Sequence, residues 1–163
     1  VLAEETRIAV TLASRICDSP TLPHDFRATA ADVREQVAEI EADTGRSFDA
    51  VHEDLDALEV ALDEAYAEIE AVDGAGPEAA AAEDLQVELG NELVPALYMS
   101  RRDYDQEPAL PHEPLPELRN AAGVEGAGRT ELFAETTLTR EVTRLRHRLQ
   151  NAQAAAEAFL DGN

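Results

Sequence analysis

Residues 49–72 read DAVHEDLDALEVALDEAYAEIEAV, and within them Val51, Leu55, Leu58, Leu62, Ala65, Ile69 and Val72 recur at steps of four and three without a break. That alternation keeps one apolar face along a helix of 3.6 residues per turn, whereas a half-buried strand would repeat at every second residue. Asp49, following the apolar Phe48, is the expected N-cap. At 1.5 Å per residue the 24 residues reach about 36 Å, a length natural for a bundle and too great for a small α/β domain.

The same reading extends outward in both directions. Toward the C-terminus, Gly74, Gly76 and Pro77 make a turn before a helix with Ala82, Leu85, Leu89 and Leu93 inward and Pro95 as a kink, running to Ser100. Toward the N-terminus, Phe26, Ala30, Val33, Val37 and Ile40 predict a helix over 28–44 that ends at Gly45, a natural C-cap. Before it, Ile8, Leu12 and Ile16 share a face of a first helix, stopped at Asp18-Ser19-Pro20. Cys17 lies among these residues and is expected to be a small buried apolar side chain; a lone cysteine also excludes an intrachain disulfide.

Between 101 and 137 the periodicity disappears into Pro108, Pro111, Pro114 and Pro116 and then Gly123, Gly126 and Gly128, which predicts a long irregular loop with a short extended piece at 118–122. Leu138, Val142, Leu145, Leu149, Ala152, Ala156 and Phe159 then restore the stripe to Gly162. The outer face of this last helix carries Arg140, Arg144, Arg146 and Arg148, while 49–72 carries Glu53, Asp54, Asp56, Glu59 and other acids with no Arg. Packing the two side by side would pair opposite charges and so favour that helix order. The expected fold is all-α: one domain over 1–163, an up-and-down four-helix bundle with an additional N-terminal helix and a long loop at 101–137 before the last helix.

Thirty-five acidic residues oppose thirteen basic ones, every one of them Arg, for a net charge of −22. Self-repulsion of that size is relieved in molar salt, where the Debye length shrinks to about 3 Å, so a salt-rich cytoplasm is the expected setting, or an extracellular one if more chain precedes Val1. The negative field disfavours nucleic acid and anionic membrane as partners. No apolar run approaches the roughly 18 residues that span a bilayer, so a soluble chain is expected.

Chemistry is nearly present at one place. His52-Glu53-Asp54-Leu55-Asp56 approaches the helical zinc-protease signature, in which two His four apart hold the metal, but Asp56 stands where the second His belongs. A solvated helix face is the simpler reading. His24, His112 and His147 are isolated, and 123–128 (GVEGAG) lacks the strand-to-helix setting of a phosphate loop. The expectation is therefore no catalytic, cofactor-binding or metal-ligating residue.

Arg7-Ile8-Ala9-Val10-Thr11-Leu12-Ala13-Ser14-Arg15-Ile16, followed by Leu22-Pro23-His24-Asp25-Phe26-Arg27, resembles the start of the dimerisation domain shared by transferrin receptor and glutamate carboxypeptidase II. The likeness resumes at Asn91-Glu92-Leu93, passes through the proline-rich stretch 107–116 and returns at Gln153-Ala154-Ala155-Ala156-Glu157. The resemblance implies a helical bundle behind a zinc-peptidase domain whose ligands lie upstream, with homodimerisation and buttressing of that domain as its role. Some family members reach substrate with a Lys-Tyr pair on the loop before the last helix. Here 126–131 reads GAGRTE, and Arg129 carries no role over. Two alternatives stand beside this reading: a free-standing helical scaffold, and a bundle whose interior binds a metal or ligand as di-iron carboxylate proteins do, although no Glu-x-x-His is present.

Overall fold

A computed structural model describes residues 2–100, 106, 112–124 and 129–162. Six helices follow one another in them: α1 Leu2–Asp18, α2 Phe26–Thr44, α3 Asp49–Ala71, α4 Pro77–Tyr98, α5 Pro116–Ala122 and α6 Arg129–Gly162. The all-α bundle expected from the sequence is the observed architecture. Close packing joins α2 to α3, α3 to α6, α6 to α4 and α4 to α2, a ring of four helices around one core, with the short α5 laid over α2 and α6.

Cross-helix pairs give the directions. Arg27 meets Glu70 and Glu41 meets His52, so α2 and α3 run antiparallel. Arg46 meets Glu135 and Arg146 meets Asp54, so α6 runs the same way as α3; Arg148 meets Glu92 of α4, which runs against it. The chain therefore goes up and down through α2, α3, α4 and α6.

The stripe at 49–72 does what its spacing requires: Val51, Leu55, Leu58, Leu62, Ala65 and Ile69 are buried, joined by Ala61 and Tyr66. Leu145, Leu149, Ala152 and Ala156 meet them from α6. Gly45 adopts φ +67° and its N–H donates to the Glu41 carbonyl, the left-handed C-cap that glycine adopts without a Cβ penalty. The start of α3 differs slightly: Phe48 occupies the cap position and Asp49 begins the first turn. Gly90 sits inside α4, where glycine costs about 0.5–1 kcal/mol relative to Ala. A Cβ there would lie 3.2 Å from Cζ of Phe26, so the glycine makes room for that ring at the α2–α4 contact.

Three further expectations are corrected. The stretch 118–122 is helical, within α5, because Pro116 starts the turn and Leu118, Ala121 and Ala122 bury one face on the bundle. The last helix begins at Arg129, nine residues before the first predicted position, so the irregular stretch is shorter than 101–137. Its first turns escaped the apolar reading because Leu132 and Phe133 point to solvent and, of the described side chains over 131–137, Ala134 alone is buried. The hydroxyls of Thr136, Thr137, Thr139 and Thr143 each donate to the carbonyl four residues back, which accommodates poor helix formers. Finally, Cys17 is exposed, because no helix of the ring packs closely on α1. Residues 101–105, 107–111 and 125–128, parts of the predicted loop, lie outside the described residues.

The connection from α1 to α2 is fastened from inside. Gln86 of α4, 2% exposed, accepts from the Leu22 N–H at 3.1 Å and donates to the carbonyls of Leu22 and His24, both at 2.8 Å. The Tyr66 hydroxyl of α3 donates to the same His24 carbonyl at 2.7 Å and accepts from the Phe26 N–H at 3.0 Å. Backbone groups that no helix pairs are thus satisfied by two side chains. Replacing Gln86 by Leu strands those of Leu22, which costs about 1–3 kcal/mol. Urea unfolding of Gln86→Leu is expected to show that loss at an unchanged slope; an unchanged midpoint would contradict the anchoring role.

Candidate interaction surface

The near-motif at 52–56 is taken apart by its neighbours. His52 Nε2 lies 3.0 Å from a carboxylate oxygen of Glu41 on α2, and the other Glu41 oxygen accepts from the Phe48 N–H at 2.6 Å. The His52 bond, aided by the one from Phe48, holds the Glu41 carboxyl below its usual range against the opposing effect of burial. Asp56 instead receives the guanidinium of Arg34 at 2.7 Å, while Glu59 takes the Nε of the same group at 2.8 Å. Both residues are helix-to-helix fasteners between α2 and α3. Among the described residues, no three of His, Cys, Asp and Glu come together at metal-holding distances.

The remaining histidines are scattered. The His24 ring stands 6.1 Å from that of Phe26, His112 Nδ1 lies 3.2 Å from the Glu113 carbonyl, and His147 Nε2 lies 3.5 Å from Asn151. Gly123 closes α5, whereas 125–128 falls outside the described residues.

The expected charge pairing between α3 and α6 is present but concentrated. Arg146 donates to Asp54 at 2.6 Å and Gln150 donates to the same carboxylate at 3.0 Å. Burial raises the pKa of Asp54, and these two hydrogen bonds with the Arg146 charge outweigh it, leaving the group below its ordinary value. Arg148 turns to Glu92 of α4, and Arg144 pairs with Glu141 of its own helix.

Arg119 is a fastener that the sequence did not single out. It bridges α5 to α2 through Gln36 at 2.9 Å and Glu39 at 2.8 Å; its Nε lies 3.3 Å from the Glu113 carboxylate but outside hydrogen-bonding geometry. Gln86 and Tyr66 were legible in principle: Gln86 continues the inward steps 82, 86, 89, 93, and Tyr66 stands between Leu62 and Ile69 on the same face.

Besides Leu132 and Phe133 at the start of α6, the described bundle leaves α1 uncovered. Every described side chain from 3 to 18 is exposed, including Ile8 at 63%, Leu12 at 59% and Ile16 at 43%. Short isolated helices are marginal in water, and most helical stability in proteins comes from burying an amphipathic face. An apolar stripe of three branched side chains on one exposed helix face is a surface suited to association. No helix of the described residues is long and apolar enough to cross a membrane.

The fold and this surface define a helical bundle with an appended, uncovered amphipathic helix. No protein-family model, curated protein or solved structure matches the chain.

The sign of the pH dependence follows from Asp54. Its folded value lies below the ordinary 3.8, so its stabilising contribution is complete above that value and disappears as pH falls through the lower folded one. Asp54→Asn is therefore expected to be less stable than the parent by a constant amount above about pH 5, with the gap closing below about pH 4. Denaturant midpoints measured across that range check it; a gap that widens in acid would contradict the assignment.

Proposed function

We propose that this chain is a non-catalytic association module, which holds two copies of a zinc peptidase-like protein together and buttresses an upstream peptidase domain, in a salt-rich cytoplasm. The observation that carries the reading is the exposed apolar stripe of α1. The four helices of the ring close a core of their own, so α1 is surplus to the fold and available to a partner. The sequence resemblance supports it from another side: the turn 22–26, one of the segments that carry the likeness, is bonded by its backbone into the core through Gln86 and Tyr66. That fastening sets where α1 leaves the bundle.

A ligand- or metal-holding interior has weaker support. Among the described residues the buried polar groups are Gln86, Glu141 and the Tyr66 hydroxyl, and all are engaged, Gln86 and Tyr66 with the turn and Glu141 with Arg144. The acidic surface fits a salt-rich setting, where screening removes most of the repulsion that −22 would cause.

Light scattering in molar salt tests the association role. The expected mass at micromolar concentration is twice the 17.6 kDa of one chain. A single-chain mass at the highest attainable concentration would contradict it.

A further inference from the structure

Resting on that dimer reading, we infer that two copies join through an antiparallel pair of α1 helices, with Ile8 of each against Leu12 of the other and Glu5 of each against Arg15 of the other. At 100° per residue, Glu5, Ile8, Leu12 and Arg15 follow one another at steps of three, four and three, and with Ile16 they occupy one side of α1. Arg7, Val10 and Cys17 lie on the other side. All of the shared-face residues are exposed, and no ring helix packs closely on them.

Charge permits a second copy as the partner and selects the direction. Glu4, Glu5 and Asp18 against Arg7 and Arg15 leave α1 a net −1 out of the chain's −22. The bundle repels its own copies, and α1 is nearly neutral where α3 carries nine acids and no Arg, so two copies meet through α1 at a low electrostatic cost. A parallel pair would set Glu5 against Glu5 and Arg15 against Arg15. Reversing one helix puts each Glu5 beside the Arg15 of the other copy, so that two opposite-charge pairs flank the four central apolar side chains. A 17-residue helix is about 25 Å long, and two of them bury less than the roughly 1,200 Å² of a standard stable interface. The pair is therefore reversible and concentration-dependent. Because α1 stands clear of the core, changes on this face leave the bundle intact.

The test uses the full chain, at the lowest salt concentration that retains full helicity, with sedimentation equilibrium as the readout and far-UV dichroism as the folding control. Leu12→Asp is expected to abolish association. Glu5→Arg and Arg15→Glu each place like charges at both flanks and are expected to weaken self-association on the order of tenfold. Mixing these two variants brings opposite charges together again at both flanks of the mixed pair, and is expected to restore association to the parent level. A dimer that persists in Leu12→Asp would overturn the α1 pairing while leaving the dimer reading intact. Single reversals that match the parent would overturn the antiparallel direction. A parent that is monomeric under these conditions would overturn the pairing, and one that is monomeric in molar salt as well would overturn the dimer with it.

Discussion

Everything in this fold depends on burying the apolar faces of α3 and α6 against each other and against α2 and α4. Removing one buried leucine such as Leu58 or Leu149 costs about 2–5 kcal/mol, whereas an exposed ion pair contributes about 0–1 kcal/mol. Both leucines are fully enclosed, and so are Leu55, Leu62, Leu89 and Leu93. A chain with 35 acids has no electrostatic route to stability in dilute buffer, so the apolar stripes carry the energy and the charges arrange it.

How the charges arrange it is visible in the arginines. Arg34 joins α2 to α3 through Asp56 and Glu59, Arg146 joins α6 to α3 through Asp54, Arg148 joins α6 to α4 through Glu92, and Arg119 joins α5 to α2 through Glu39. Each guanidinium sits between two helices and meets carboxylates on the neighbour. The planar fork can serve two acceptors at once, as Arg34 does, which suits a protein whose cations are few and all arginine. Arg27 adds a different contact, its guanidinium 4.7 Å above the Tyr66 ring, over the same side chain whose hydroxyl fastens the turn into α2.

Where the physics is periodic, the sequence was readable. The stripes of α2, α3, α4 and α6 recur at helical spacing, and the cap at Gly45 follows from glycine's freedom at positive φ. Where it depends on neighbours in space, it was not. Of the described side chains over 131–137, Ala134 alone is buried, so no stripe announces the start of α6. Leu115 stands at φ +52° before Pro116, buried, with its N–H on the Leu97 carbonyl, a strained conformation that tertiary contacts impose and local preference opposes. The apolar neighbours of Cys17 pointed to burial, but an apolar helix face predicts a partner without saying that the partner belongs to the same bundle. The near-motif at His52 shows the converse: its residues are present, and their actual neighbours are Glu41 and Arg34 on α2.

A single core built by α2, α3, α4 and α6, with α1 standing outside it, has a direct signature in amide hydrogen exchange, resolved by residue at a protein concentration too low for association. The slowest exchange is expected in α3 and in the part of α6 that faces it, around Leu55–Ile69 and Leu145–Ala156, with α1 exchanging orders of magnitude faster. Protection of α1 equal to that of α3 under those conditions would contradict this division of the molecule.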